Sequence, residues 1–218
     1  MGEMLRHISH QWRQPLSEIN SVAMKIESDH RKKKLDGVVL DTHIERIENI
    51  TEHMSQTIQD FNGYFKSDKK KVQTTLIQVV DKALDLVLSG ISKNSITIEK
   101  HVENHDVVKI VEGELVQVLL VLFNNARDAL SSSNQQNKWI QIRVSQEDGQ
   151  RFIEVEDNGG GIKKEHLYKV FEPYFSTKFE AQGVGIGLYM SKMIVEESMG
   201  GSLSVSNGQY GARFKILF

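Results

Sequence analysis

Residues 44–65 carry the pattern that most restricts the fold. Ile44, Ile47, Thr51, Met54, Ile58, Phe61 and Phe65 follow one another at steps of three and four, a heptad seam with one polar member. Such a seam belongs to a helix that packs lengthwise on other helices. A second set, Leu5, Ile8, Trp12, Ile19, Val22 and Ile26, steps in the same way, with Pro15 taking one turn of the pattern. Arg31-Lys-Lys-Lys34 and Gly37 mark a polar turn between them; the basic run reads as a solvated loop, with a partner-docking patch as the alternative. Two amphipathic helices cannot bury both seams alone. The expectation for residues 1–66 is therefore a helical hairpin that forms a dimeric four-helix bundle.

Lys66-Ser-Asp-Lys-Lys-Lys71 reads as a charged hinge, placed at 67–71. Beyond it, over 72–218, the pattern mixes helix and strand. Helices are expected at 75–89, Gly113–Leu130 and Ile186–Ser198, the last ended by Gly200-Gly201. Strands are expected at Ser95–His101, Val107–Ile110, Ser202–Ser206 and Ala212–Phe218. Trp139–Ser145 and Arg151–Glu156 form a hairpin across the Asp148-Gly149 turn. The class is α+β: helices first, then an α/β sandwich with a mixed sheet and helices on one face.

Composition removes several functions. With 27 basic against 29 acidic residues, no broad field for nucleic acid or anionic lipid is expected. The chain has no cysteine, which excludes disulfides, thiolate metal sites and cysteine nucleophiles. No apolar run approaches a membrane span, so no membrane contact is expected of this stretch. No signal peptide opens it, and the start so close to His10 suggests a piece of a longer protein.

Three segments suggest a phosphate-bearing ligand. Asp157-Asn-Gly-Gly-Gly-Ile162 follows a strand; its glycines permit close backbone approach, and its carboxylate can accept a hydrogen bond from an amino group. Gly183-Val-Gly-Ile-Gly-Leu188 opens a helix, where free N–H groups and the helix dipole favour phosphate. Asn125 offers a neutral oxygen on an otherwise apolar helix, suited to Mg²⁺ carried by phosphates. Singly, each has a plainer reading: a turn, a helix start, a surface amide. The dinucleotide-binding reading of the second glycine run fails, because no βαβ unit surrounds it. Upstream, His10 sits on a helix five residues before Pro15.

In order and spacing these motifs resemble the catalytic core of a sensor histidine kinase. His10 falls in an H-box, Gln117–Leu130 resembles the N-box helix, and Asp157–Ile162 the first glycine box. Phe171-Glu-Pro-Tyr-Phe175 resembles the F-box and Gly183–Leu188 the second glycine box. All five motifs stand in the family's order, and the resemblance spans essentially the whole chain.

The resemblance implies an ATP-binding domain of the kind shared with gyrase-type and mismatch-repair ATPases. Asp157 would bind the adenine amino group, with Gly159, Gly161 and Ile162 close to the base. Asn125 would coordinate Mg²⁺, with Asp128 on the same helix stripe. Gly183, Val184, Gly185, Ile186, Gly187 and Leu188 would surround the phosphates and hinge a lid anchored by Phe171 and Phe175. Thr177 and Lys178 would reach the phosphates. His10 would take the γ-phosphoryl group and pass it to an aspartate of a response-regulator receiver domain, in a cytoplasmic homodimer, with any membrane anchor outside this stretch. Arg13 would counter phosphate charge or be a solvated helix residue.

Three positions depart from the family. Gln11 stands where an acid usually follows the histidine. Gln14 replaces the usual Thr or Asn that orients water for dephosphorylating the partner, and an amide can do the same. Val121, four residues before Asn125, replaces the asparagine usual in histidine kinases and the glutamate of gyrase-like hydrolases; valine cannot act as a base. The alternatives are a phosphatase or weak kinase on the same fold, motivated by Gln11 and Val121, and a non-enzymatic scaffold regulated by nucleotide. A gyrase-like hydrolase is opposed by Val121 and the H-box helix. An acid beside the histidine would accept a hydrogen bond from its other ring nitrogen and raise its nucleophilicity. Gln11→Glu is therefore expected to speed autophosphorylation, measured as the initial rate of acid-labile label; an unchanged or lower rate refutes the assignment.

Overall fold

The computed structural model describes residues 2–65, 70–177 and 185–218; side chains are described from residue 15 on, apart from 52, 53, 55–65, 89, 92 and 93. The chain divides into two compact units, with the break at residues 61 and 62.

The first unit holds α1 (Gly2–Arg31) and α2 (Gly37–Phe65). Lys34 N–H bonds Asp29 O at 2.9 Å and Lys33 N–H bonds His30 O at 3.0 Å, with Lys33 at φ 55°. This pairing closes α1 in a Schellman cap, so the basic run supplies the helix end as well as charge beside its negative dipole. Asp36 starts α2 by accepting Val39 N–H at 2.8 Å. Val22 and Ile50 are buried, while Ile19, Ile26, Ile47 and Met54 are half-buried. Within the single hairpin, Ile44 of the predicted seam is 42% exposed and Thr51 is exposed, while Ile50 lies inside; the side chains of Ile58, Phe61 and Phe65 lie outside those described. A single partner helix covers a stripe narrower than the predicted seam, and the 3.6-residue turn places Ile47, Ile50 and Met54 on it. Buried Asp29 meets His43 Nε2 at 3.4 Å, a polar tie between the helices.

The second unit begins with β1 (Val72–Thr75), which runs into α3 (Leu76–Lys93). Thr75 and Gln78 form a capping box: Gln78 N–H bonds Thr75 Oγ1 at 3.4 Å and Thr75 N–H bonds Gln78 Oε1 at 3.1 Å. β1 is absent from the sequence expectation, because four residues without apolar alternation abut a helix; it pairs antiparallel with β3 (Val107–Ile110). Next come β2 (Ile96–Val102), α4 (Glu112–Ser132), β4 (Lys138–Glu147), β5 (Gln150–Asp157), α5 (Gly187–Met193), β6 (Ser202–Asn207) and β7 (Ala212–Leu217). A π-helical turn, Ile194–Ser198, extends α5 where an unbroken α-helix is expected. Asp148 and Gly149, at φ 50° and 80°, make the tight β4–β5 turn.

The sheet runs β2-β4-β5-β7-β6; β2 and β4 are parallel, the other neighbours antiparallel. Its inner face is Ile140, Ile142 and Val144, Ile153 and Val155, Phe214 and Ile216, and Leu203, all buried. Against it lie Val79, Val80 and Ala83 of α3 and Leu115, Leu119, Leu122 and Phe123 of α4. On the outer face, Phe152 is 2% exposed beneath Lys215 Nζ and the Arg143 guanidinium, 4.2 and 5.4 Å from its ring centre. Fully buried Phe123 makes the clearest stability test. Phe123→Ala is expected to lower the unfolding free energy by about 3–5 kcal/mol, whereas Leu86→Ala, at an exposed site on α3, changes it by less than about 0.5 kcal/mol in denaturant titrations.

Candidate functional site

α4 has two faces. One is buried in the core; the other carries Gln117, Val121, Asn125 and Asp128, all half-buried. Each glycine segment of the sequence packs onto this second face. A Cβ built on Gly187 would lie 3.1 Å from Val121 Cγ1, and one built on Gly159 would lie 3.0 Å from Ala129 Cβ. Val121, Asn125 and Ala129 are spaced by four, so Asn125 stands midway, about 6 Å along the axis from each contact. The absence of side chains at Gly159 and Gly187 is what brings both segments onto the helix.

The first segment is organised by a buried carboxylate. Strand alternation turns Asp157 to the inner face with Ile153 and Val155, and it is 4% exposed. Burial pushes its carboxyl up from the ordinary 3.8; hydrogen bonds from Gly159 and Ala212 N–H act the other way, and the Glu156 charge adds to the rise. Gly159 N–H reaches Asp157 Oδ1 at 2.8 Å. A Cβ on Gly211 would fall 2.0 Å from the Asp157 carbonyl, so only glycine passes there. Two asparagines that the sequence reading does not single out hold this segment. Asn158 accepts Trp139 N–H at 2.8 Å and donates to Asn137 O at 2.7 Å, fixing the start of β4. Asn207 bonds both main-chain groups of Ile162. Neither carries a sequence signal, since each acts through distant backbone.

The aromatic segment joins the second glycine run. Tyr174 N–H bonds Gly185 O at 2.9 Å, with Tyr174 at φ 69° and Gly185 at φ 70°. A Cβ on Gly185 would come 2.5 Å from the Tyr174 carbonyl carbon. Phe171 packs edge-on to Phe214, with Lys192 Nζ 4.7 Å from its ring centre; Phe175 packs edge-on to His166. Thr177 is exposed, and Ile186 and Leu188 are half-buried at the start of α5. Lys178, Gly183 and Val184 lie outside the described residues, as does most of the expected hinge, 66–69.

Other expected members stand apart or carry other contacts. Glu114, at the start of the α4 stripe, is buried and accepts Ser198 Oγ at 2.6 Å from the π-helical turn. The Asp128 carboxylate is held by Arg127, whose Nε and Nη2 reach Oδ1 at 3.1 and 2.9 Å. His10, Gln11, Arg13 and Gln14 lie on α1, in the other unit, and their side chains are outside those described. As for Mg²⁺, Asn125 supplies one neutral oxygen, which fits an ion that keeps phosphate and water ligands. Among the described residues no three His, Asp or Glu side chains cluster as a metal cage.

Residues 110–218 match the family model described as histidine kinase-, DNA gyrase B-, and HSP90-like ATPase. The chain is 31% identical over 222 residues, 99% of its length, to the two-component sensor PprA of Pseudomonas aeruginosa, of which it spans 24%. Across the first three curated relatives it spans 24%, 34% and 43% of their length. Among solved structures, the catalytic domain of histidine kinase ThkA superposes with TM-score 0.61 at 26% identity, covering 68% of this chain and 95% of that one. ThkA in complex with the response regulator protein TrrA matches 100% of this chain and 61% of that chain at TM-score 0.76 and 23% identity, a likeness of fold.

The buried carboxylate gives stability a pH dependence. Because burial raises its folded-state pKa, the folded protein holds this proton more tightly than the unfolded chain, so its contribution to stability is greatest below the unfolded pKa and is lost as pH rises through the folded one. Asp157→Asn is expected to weaken ATP binding by about tenfold or more in calorimetry. Its melting temperature at neutral pH should equal or exceed the parent's, without that part of the decline with pH. Parent-like ATP affinity of Asp157→Asn would refute the expectation that this carboxylate takes the adenine amino group.

Proposed function

We propose that this chain, which belongs to the histidine kinase-, DNA gyrase B-, and HSP90-like ATPase family, is the core of a two-component histidine kinase that phosphorylates itself on His10 from ATP. It then passes the phosphoryl group to an aspartate of a response-regulator receiver domain. The observation that carries this reading is the α4 stripe, where Val121 meets Gly187 and Ala129 meets Gly159 on either side of Asn125. Gly159 marks the base end in this reading and Gly187 the phosphate end, each about one helical turn from Asn125.

In this reading Asp157 accepts the adenine amino group, and Gly159, Gly161 and Ile162 border the base. Gly185, Ile186, Gly187 and Leu188, with Gly183, Val184, Thr177 and Lys178, surround the phosphates. The amide of Asn125 holds Mg²⁺, which when bound neutralises phosphate charge. Asp128, held by Arg127, completes the polar stripe. Phe171 and Phe175 anchor the segment that covers the phosphates. One neutral ring nitrogen of His10 forms the new N–P bond as the bond to the β-phosphate oxygen breaks and ADP departs. Gln11 fixes the imidazole tautomer, Arg13 counters phosphate charge, and Gln14 orients the water that hydrolyses the aspartyl phosphate of the partner receiver domain, releasing inorganic phosphate. Residues 1–66 act as the acceptor and dimerisation hairpin, 67–71 as the hinge and 72–218 as the ATP-binding domain.

Homodimerisation is part of the proposal. Leu16, Met24, Val38 and Ile44 are 52%, 64%, 76% and 42% exposed on the hairpin, apolar surface that a second copy would cover. No helix among the described residues is long and apolar enough to cross a membrane, and we place the reaction in the cytoplasm. A second reading, a phosphatase or weak kinase, is favoured by one observation: Val121 packs its methyls on Gly187, so no polar group stands four residues before Asn125. Incubation with labelled ATP and Mg²⁺ is expected to give acid-labile label that His10→Gln abolishes and that passes to a receiver domain. Label surviving in His10→Gln would sink the assignment, and no label with retained dephosphorylation of a phosphorylated receiver would establish the second reading.

A further inference from the structure

Asn207 closes β6 at the edge of the sheet, and its side chain is exposed. Its amide nevertheless behaves as a piece of backbone. Oδ1 accepts Ile162 N–H at 2.8 Å, and Nδ2 donates to the Ile162 carbonyl at 2.6 Å. One side chain thus takes both main-chain groups of one loop residue, as a neighbouring strand would.

The loop needs such a partner. Gly160 and Gly161, at φ 96° and 78°, sit in a region open to glycine and closed to most residues, and no ladder continues past Asp157. At its start the loop is held by the Asp157 bond to Gly159 N–H. At its end Asn207 holds it, and a Cβ at Gly161 would lie 2.8 Å from Asn207 Oδ1, so amide and glycine are fitted to one another. Between these anchors a Cβ at Gly160 would meet nothing within 4 Å. Two residues, Gly160 and Gly161, stand between the anchors.

We propose that Asn207 is a positioning residue for nucleotide binding: by clamping Ile162 it holds the first glycine loop in the shape that receives the base. This rests on the reading of that loop as the base side of an ATP site. The clamp needs an acceptor and a donor on one planar group. Aspartate in its place keeps the acceptor, loses the donor and sets a charge against the Ile162 carbonyl; when protonated, it regains an O–H donor.

The test is calorimetric titration of ADP with Mg²⁺ into the parent, Asn207→Ala and Asn207→Asp proteins between pH 8 and pH 5, with thermal unfolding of each in the absence of nucleotide. ADP carries the base-side contacts without turnover. Asn207→Ala should bind about three- to tenfold more weakly, as expected for two exposed hydrogen bonds, with its melting temperature within about 2 °C of the parent. Asn207→Asp, of the same shape but without the donor, stays ionised over this range and should bind at least as weakly as Asn207→Ala with a melting temperature within about 2 °C of the parent, whereas a merely structural role would show as a lower melting temperature. Parent-like affinity of either variant overturns the proposal. A parent protein that binds no ADP at any pH would instead overturn the nucleotide reading, and this inference with it.

Discussion

The burial of one carboxylate at the end of a central strand organises the α/β unit. Asp157 faces inward because it shares the face of Ile153 and Val155, and a charge in that place is costly unless hydrogen-bonded. The surroundings supply those bonds from main chain: Gly159 and Ala212 both donate to it. That requirement reaches far along the sequence. Gly211 must lack a side chain to pass the Asp157 carbonyl, which ties the β6–β7 connection to the end of β5. Gly159 must lack one to rest on Ala129 of α4. A residue that packs poorly as core thereby fixes the positions of a helix, a loop and a hairpin.

α4 then divides its surface between the core and the glycine segments. Leu115, Leu119, Leu122 and Phe123 fasten it to the sheet, so the opposite stripe is presented on a rigid support. Val121 belongs to that stripe, yet its methyl groups fill the space above Gly187. Contact with the start of α5 takes the place of a polar group there. At the far end of the stripe Glu114 turns to Ser198, in the π-helical turn that ends α5. α4 is therefore joined to α5 and its π-helical extension at two levels, once through apolar contact and once through a part-buried hydrogen bond.

Irregular backbone around the site is satisfied largely by side-chain amides and by unusual dihedral angles. Asn158 and Asn207 each bond a donor and an acceptor of the main chain. Tyr174 adopts φ 69°, a conformation costing about 1–2 kcal/mol for a residue with a side chain, and donates to Gly185 O in return. Local strain of this kind persists where surrounding contacts over-determine it.

Periodicity in the sequence was enough for most elements: the two long helices, the Asp148-Gly149 hairpin, the α4 helix and the closing strands follow from spacing that any homogeneous stretch of helix or strand must obey. The glycine runs, Asp157 and Asn125 were legible as candidates because glycine and a carboxylate at a strand end have few other uses. Tertiary structure alone decided the rest. β1 is too short to show alternation, and Ile50 is buried within the hairpin because the position of α1, not the spacing, selects the stripe that it covers. The clamps of Asn158 and Asn207 join residues 19 and 45 positions apart, a contact no local pattern can encode. The sequence by itself determined which groups could do chemistry; the fold decided which of them share a surface, because only long-range packing brings Gly159 and Gly187 onto one helix on either side of Asn125.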